Sequence, residues 1–405
     1  MIHHNSANET AKEVLRKMAV LERPRDFDSL ALSSTGCPTA HLSRIATMSR
    51  RLAIVSSIAT ATFLLSAYAL QRGATPALAA ADDHSGHMRA EDLAAPMKMP
   101  MRGVSAQPGD LSLPASAMTT AARLAASPRH GEWVTFASTP GSKDSIMAWV
   151  VYPSTKSKAP VVVVVHEIFG LSSWVRAVAD QVAAEGFIAI APDFLSRVRG
   201  GPSSVEIKSD SATRLIRGVD AAERNRVIAA AANYAMMLPA ANQKYAVIGY
   251  CWGGQTTFMH TINGGLKGFS GGVAFYGLPY TSGGTPATAT TAAVPASLDA
   301  DSLAKIKAPI MLLNGSKDAR IAAAMPALDS IMRKLKKQYT GVNFDGAVHG
   351  FLRAQADGRA PRPATATQAA ETEADVAKES AANLAATKDG WPKTIAFLKK
   401  NLGVK

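Results

Sequence analysis

A short glycine-rich segment constrains the fold of this chain more than any other feature: residues 249–254 read GYCWGG. The segment follows an apolar run at residues 245–248 and precedes a stretch with helical character. This order of strand, sharp turn and helix, with glycines on both sides of the central residue, is typical of a turn that strains that residue. Glycine is needed because a larger side chain would collide with the neighbouring strand and helix. The sequence therefore predicts that Cys251 stands where a buried strand ends and a helix begins.

The segments around this turn alternate between apolar strands and helices. Five consecutive valines, Val161 to Val165, are typical of a strand buried on both faces of a mostly parallel sheet. Apolar residues with helical spacing at 174–184 and 221–238 flank another apolar run at 187–191. Further strands are predicted at 132–136, 146–152, 272–277, 310–315 and 340–344. This alternation predicts an α/β fold with a mostly parallel central sheet and helices on both faces.

The N-terminal part of the chain predicts three segments that precede the folded domain. A short positive stretch, an uncharged apolar run and small residues in the A-x-A manner indicate a secretory signal peptide at residues 48–81. Residues 1–47 are predicted to be a non-native upstream extension, with translation starting at Met48. Residues 82–127 lack any sustained period and predict a disordered linker. The folded domain is therefore expected at residues 128–405.

Two segments inside this domain look like insertions. Residues 281–295 are rich in Thr, Ala, Gly and Ser and predict a surface loop. Residues 354–386 are rich in Ala, Thr and Glu and predict a mobile insertion with some helix. An amphipathic helix at 391–402 is expected to close the domain.

The signal pattern predicts a periplasmic or secreted protein. An uncleaved membrane anchor is the alternative, because the apolar run is long for a signal peptide. Removal of the signal would take away Cys37 and leave Cys251 as the only cysteine. A lone thiol cannot form an internal disulfide, so Cys251 is either a small buried apolar residue or a reactive group. Its place at the sharp turn favours the second interpretation.

The charge of the chain does not indicate a nucleic-acid partner. The chain has 44 Lys and Arg against 31 Asp and Glu, but the cations are scattered and no stretch combines a basic patch with aromatic residues. His and Met residues at 84–101 are of a kind that binds soft metals. Nothing in their spacing fixes a geometry, so we expect neither a metal site nor a cofactor.

The sequence also supplies partners for a thiol nucleophile. Such a nucleophile needs a base to generate the thiolate and an acid to orient that base. Asp318 follows the strand predicted at 310–313, and His349 follows the strand predicted at 342–344. Since the carboxyl ends of parallel strands meet at one edge of a sheet, we expect Cys251, Asp318 and His349 to form a catalytic triad. The competing acids and histidines are Asp299, Asp301, Asp345, His130, His166 and His260.

A reaction at a carbonyl group also needs donors for the oxyanion. One donor is expected from the backbone N–H of Trp252, the residue after the nucleophile. The other is expected from the loop at residues 166–170, which follows the valine strand. Glu167 in this loop is either a surface carboxylate or a group that disfavours the thiolate until substrate arrives.

These motifs together resemble the dienelactone hydrolase family. The resemblance rests on the sequence HEIFG at residues 166–170, on the GYCWGG turn, and on the pair Asp318 and His349, and it covers about residues 130–402. It implies a single-domain α/β-hydrolase fold. It also implies hydrolysis of an ester or lactone by a Cys–His–Asp triad.

The resemblance further implies roles for residues around the thiol. It implies that Glu167 contacts the resting cysteine and that the N–H groups of Ile168 and Trp252 form the oxyanion hole. It implies that Arg353, four residues after the histidine, binds a carboxylate of the substrate. The candidates for a second substrate-binding arginine are Arg197, Arg199, Arg214 and Arg217.

The sequence therefore predicts an exported hydrolase that cleaves an ester or lactone through an acyl-thioester intermediate. We expect a monomer whose partner is a small-molecule ester or lactone, with a membrane as a partner only if the signal segment is uncleaved. The alternative is a non-catalytic protein that binds a small molecule on a hydrolase scaffold, since a fold does not fix a function.

Overall fold

The structure of the chain is a computed structural model, which describes residues 104–199, 209–282, 297–365 and 368–404. The predicted upstream extension and signal peptide lie outside these residues, as does most of the loop predicted at 281–295. Within the described ranges, no helix is both long and apolar enough to cross a membrane.

A mostly parallel sheet of eight strands forms the centre of the described chain. In chain order the strands are β1 (Gly131–Ala137), β2 (Ser145–Val151), β3 (Ala159–Val165), β4 (Ile188–Pro192), β5 (Ala241–Tyr250), β6 (Phe269–Phe275), β7 (Tyr280–Ser282), β8 (Ser297–Leu298), β9 (Ile310–Gly315) and β10 (Tyr339–Phe344). The sheet has the order β1-β2-β4-β3-β5-β6-β9-β10, while β7 and β8 pair separately. The β1–β2 and β2–β4 pairs are antiparallel and the others in the large sheet are parallel.

Helices cover both faces of this sheet. In chain order they are α1 (Thr120–Ala125), α2 (Ser173–Ala184), α3 (Ser196–Arg199), α4 (Ser209–Ile216), α5 (Ala221–Met236), α6 (Trp252–Ile262), α7 (Ala300–Ala304), α8 (Ala319–Lys334), α9 (Phe351–Ala354) and α10 (Glu373–Leu402). A Cβ on Gly271 would meet Phe397 of α10, and a Cβ on Gly272 would meet Thr257 of α6. Since successive residues of a strand point to opposite faces, α6 and α10 lie on opposite faces of β6. The predicted α/β-hydrolase fold is confirmed.

The valine run forms the centre of the sheet, as predicted. Every residue of β3 is buried, and this strand pairs with β4 on one side and with β5 on the other. Full burial of a valine side chain contributes roughly 1.5 kcal/mol or more, so the run stabilises the core strongly. Val165 pairs with Gly249. The loop after β3 and the turn after β5 therefore emerge side by side at the carboxyl edge of the sheet.

The prediction of a disordered linker at residues 82–127 is wrong for residues 104–127, the part of it that the structure describes. Residues 104–127, which we call the strap, contain α1 and pack against the domain, with Leu113 and Arg123 buried. The guanidinium of Arg123 donates to several backbone carbonyl groups of the strap itself. These hydrogen bonds, together with the burial of Leu113 in the core, hold the strap on the domain.

The C-terminal helix also differs from the prediction. It begins at Glu373 instead of residue 391, so the helix that the prediction allowed within residues 354–386 is continuous with the closing helix. Thr372 and Asp375 cap it reciprocally, each side chain accepting from the backbone N–H of the other. This box satisfies two N–H groups at the start of the helix, which explains why an Ala-rich segment with weak amphipathic character is helical.

Candidate active site

The sharp turn predicted at Cys251 is present. Cys251 lies between β5 and α6 with φ +56° and ψ −115°, which is strained for a residue with a side chain. A Cβ on Gly249 would lie 2.1 Å from the carbonyl oxygen of Gly253, and one on Gly253 would lie 2.4 Å from that of Val165. The glycines therefore let strand and helix approach closely enough to hold the thiol at the start of α6.

Asp318 and His349 form a hydrogen-bonded pair at the same edge of the sheet. Oδ1 of Asp318 caps α8 by accepting from the N–H of Ile321 at 3.3 Å, and Oδ2 accepts from Nδ1 of His349 at 2.6 Å. Burial raises the pKa of Asp318, but the hydrogen bond from His349, the charges of His349 and Arg320 and the hydrogen bond from Ile321 together hold this pKa below its ordinary value. The carboxylate therefore stays charged and fixes the tautomer of His349 in which Nδ1 carries a hydrogen.

Cys251 is close enough to His349 to act on its pKa. Burial lowers the pKa of His349, but the charge of a Cys251 thiolate and then the hydrogen bond to Asp318 outweigh burial and raise it to about 10. Nε2 is the nitrogen that remains for the thiol, because Nδ1 is bonded to Asp318. A hydrogen bond with Cys251 also contributes to the raised pKa of His349. By strict geometry, however, Nε2 of His349 has no hydrogen-bond partner among the described residues. We conclude that thiol and imidazole are near but not aligned, and such contacts commonly tighten when substrate binds.

Glu167 is a buried carboxylate in the loop after β3. Its side chain lies near Arg353, with Oε2 of Glu167 3.9 Å from Nη1 of Arg353. Burial raises the pKa of Glu167, and the charges of Arg353 and His349 partly counteract this. Burial raises the pKa of Tyr250, the residue before Cys251, and the charge of Glu167 raises it further. The structure thus brings Glu167 and Arg353 to the edge that carries the thiol, and Glu167 is not a surface carboxylate.

Tyr276 is a residue of this site that the sequence analysis missed. It follows β6 with φ +40°, and its ring centroid lies 4.8 Å from that of His349. Its hydroxyl group is buried and has no hydrogen-bond partner among the described residues. Burial raises the pKa of Tyr276 well above its ordinary value, and the charges of Glu167 and Cys251 add to this. Its position just after a parallel strand was the signal that could have identified it.

A neutral histidine fixes the loop that carries Ile168. Nδ1 of His166 donates to the carbonyl oxygen of Glu167 at 2.6 Å, and Nε2 accepts from the N–H of Phe194 at 3.2 Å. Burial lowers the pKa of His166 to about 4, so the ring stays uncharged near neutral pH. The ring stacks on that of Trp252, with centroids 5.9 Å apart. His166 therefore links the two places from which the oxyanion donors are expected, and it does not compete with His349.

Comparison with known proteins shows the family of the chain. The model of the dienelactone hydrolase family matches residues 146–402, more than half of the chain. The chain belongs to the dienelactone hydrolase family. It is accordingly a hydrolase of the dienelactone hydrolase type.

Individual relatives in this family are distant. A Synechocystis sp. protein provisionally named carboxymethylenebutenolidase is 28% identical over 226 residues, which are 54% of this chain and 86% of that protein. Carboxymethylenebutenolidase 1 of Cupriavidus pinatubonensis is 32% identical over 114 residues, which are 27% of this chain and 48% of that enzyme, so the match spans about half its length. The crystal structure of a Klebsiella pneumoniae protein provisionally named dienelactone hydrolase is 22% identical, with a TM-score of 0.48 over 67% of this chain and 99% of that chain.

The candidate arginines Arg197, Arg199, Arg214 and Arg217 and the competing residues His260 and Asp299 have other surroundings than this dienelactone hydrolase-type site. Arg197 pairs with Asp144 and Glu223, and Nη2 of Arg199 lies 3.6 Å from Oδ2 of Asp193. Arg214 and Arg217 are exposed. None of these four arginines is therefore identified as a second substrate-binding residue. His260 bonds Tyr245 and Asn225, and Asp299 caps α7.

Proposed function

We propose that this protein is an exported hydrolase that cleaves an ester or lactone through a thiol nucleophile. The observation that carries the proposal is the position of His349, which bonds Asp318 at 2.6 Å through Nδ1 and leaves Nε2 for the thiol. A protonated imidazole beside the thiol stabilises the thiolate, which is the nucleophilic form of cysteine.

In the first half of the proposed reaction, the Cys251 thiolate attacks the carbonyl carbon. The electron pair moves to the carbonyl oxygen, and the N–H groups of Trp252 and Ile168 are the proposed donors to it. Trp252 is the first residue of α6, so its N–H has no acceptor inside the helix and is available to an oxyanion. When the intermediate collapses, the C–O bond breaks and the alkoxide takes the proton of His349, which leaves an acyl-thioester.

In the second half, neutral His349 takes a proton from water as the water oxygen attacks the thioester carbonyl. The C–S bond breaks, the carboxylic acid leaves and the thiolate re-forms beside the imidazolium. Asp318 orients the ring in both halves. No cofactor is needed for this sequence of steps, because water is the only other reactant.

The proposed substrate carries a carboxylate of its own. Arg353 is a cation at this edge of the sheet, and Oε2 of Glu167 lies 3.9 Å from its Nη1. A substrate carboxylate would replace this weak contact with a charge-assisted hydrogen bond. Arg353 would thereby place the reacting carbonyl group near Cys251.

The nucleophile is tested with two substitutions, Cys251→Ala and Cys251→Ser. Hydrolysis of p-nitrophenyl acetate and of a dienelactone is measured for each variant and for the wild type. We expect Cys251→Ala to lose activity by about 10⁴-fold or more. Cys251→Ser is the matched control, since it keeps the shape and replaces only the sulfur. Equal rates in the wild type and Cys251→Ala would rule out the thiol mechanism, and no rate above uncatalysed hydrolysis in either protein would favour a non-catalytic binding protein.

Export is proposed from the signal pattern at residues 48–81. Cell fractionation followed by N-terminal sequencing of the full chain tests it. We expect the protein outside the cytoplasm, with its N-terminus after the small residues at 76–81. A cytoplasmic protein that retains residues 48–81 would contradict export without affecting the thiol mechanism.

A further inference from the structure

The strap, residues 104–127, lies outside the part of the chain that matches the family model, which begins at residue 146. The path of the strap depends on Arg123, a residue that is only 3% exposed. Its acceptors are the carbonyl oxygens of Pro108, Asp110 and Leu113 and Oε1 of Gln181. A buried cation with this many acceptors holds a single conformation. The strap is therefore an ordered part of the domain.

The strap contacts the chain directly after His349. The N–H of Ala117 donates to the carbonyl oxygen of Arg353 at 2.8 Å, and Nε2 of Gln355 donates to the carbonyl oxygen of Pro114 at 2.8 Å. Gln355 has φ +43°, a strained conformation for a residue with a side chain. Such strain persists only where the surroundings hold it. The strap is thus part of what fixes the turn that carries Arg353.

A second contact lies two residues further along the chain. The carboxylate of Asp357 accepts from the hydroxyl of Ser116 at 2.6 Å and from the N–H of Met118 at 2.9 Å. Burial raises the pKa of Asp357, and the hydrogen bonds from Ser116 and Met118, and then the charge of Arg353, partly counteract this. Asp357 therefore connects the strap to Arg353 through charge as well as through the backbone.

The strap also contacts α2, the helix that carries Trp174. Nε1 of Trp174 in α2 donates to the carbonyl oxygen of Ala115 at 2.9 Å. The ring of Trp174 packs edge-on against Tyr250, with centroids 5.1 Å apart, and Tyr250 directly precedes Cys251. One segment thus bonds both the element next to the nucleophile and the turn that carries Arg353.

We propose that the strap sets the position of Arg353 relative to Cys251 and so determines the preference for substrates that carry a carboxylate. Ser116 and Asp357 are the positioning residues. This inference rests on the proposed function, because it concerns how the same site selects its substrate. Displacement of a binding group by about 1 Å can cost up to 100-fold in rate, so a fixed strap has a measurable effect.

Kinetics with a matched pair of substrates tests the proposal. Ser116→Ala and Asp357→Asn are compared with the wild type on p-nitrophenyl acetate and on mono-p-nitrophenyl succinate, which differ in the carboxylate. We expect KM for the succinate ester to rise about tenfold with little change in kcat, while both constants for the acetate stay unchanged. Ser112→Ala is the control, since exposed Ser112 bonds Asp110 inside the strap. Equal changes on both esters, or none, would overturn the proposal.

Hydrogen exchange gives a readout that does not depend on turnover. The N–H groups of Arg353 and Gln355 bond the carbonyl oxygens of Gly350 and Phe351. We expect a peptide that spans residues 350–357 to exchange faster in Ser116→Ala and Asp357→Asn than in Ser112→Ala. Unchanged exchange would overturn the role of the strap even in an active enzyme. Equal hydrolysis by the wild type and Cys251→Ala would instead overturn the proposed function.

Discussion

At the scale of the residue, Asp318 combines two roles, as a helix cap and as the hydrogen-bond partner of His349. An Asp after a strand is usually a helix cap, and Asp318 does cap α8 through Oδ1. Its second oxygen accepts from His349 at 2.6 Å. The two roles use different oxygen atoms of one carboxylate, so they can be separated by substitution.

Asp318→Asn separates them. Asparagine is as good a cap as aspartate, so we expect the free energy of unfolding to change little. The charge that holds the imidazolium is lost, and kcat/KM is expected to fall by about 10³–10⁴-fold. Asp318→Ala should lose similar activity and, in addition, about 1 kcal/mol of stability with the cap. Urea unfolding and ester hydrolysis measure both effects, and a fully active Asp318→Asn would show that the carboxylate does not orient His349.

At the scale of the element, the site depends on the close approach of β5, α6 and β3. Gly253 lies in the first turn of α6, where a Cβ would meet the carbonyl oxygen of Val165 at 2.4 Å. Both partners are backbone in the centre of the fold, so neither can move cheaply. The glycines of the GYCWGG motif are therefore required for packing, whatever the chemical role of Cys251.

Gly253→Ala is expected to lower the free energy of unfolding by about 3 kcal/mol or more, because overpacking against backbone cannot relax. Gly264→Ala is the matched control. Gly264 has φ +85° but open space around a Cβ, so it should cost only about 1–2 kcal/mol from its left-handed conformation. Thermal or urea unfolding of the two variants checks the difference. If Gly264→Ala were the more damaging of the two, the steric explanation of the motif would be wrong.

At the scale of the whole molecule, local sequence patterns predicted the strands and the residues at the strand ends. The valine run predicted β3, and strand ends placed Asp318 and His349 at one edge of the sheet. The strap could not be predicted in this way. Ser116 bonds Asp357, which is 241 positions away, and no local period reports such a contact. Tyr276 was missed for a related reason, because its buried hydroxyl group matters only once the neighbouring strands are in place.

The central claim is that Cys251 carries the acyl group during turnover. The most direct measurement is mass spectrometry of the full chain, quenched in acid during turnover of a p-nitrophenyl ester and then digested. We expect the acyl mass on the peptide that contains Cys251, and its removal by hydroxylamine, because an acyl-thioester is labile to that nucleophile. Turnover without an adduct on Cys251 in the wild type, together with undiminished turnover by Cys251→Ala, would contradict the account.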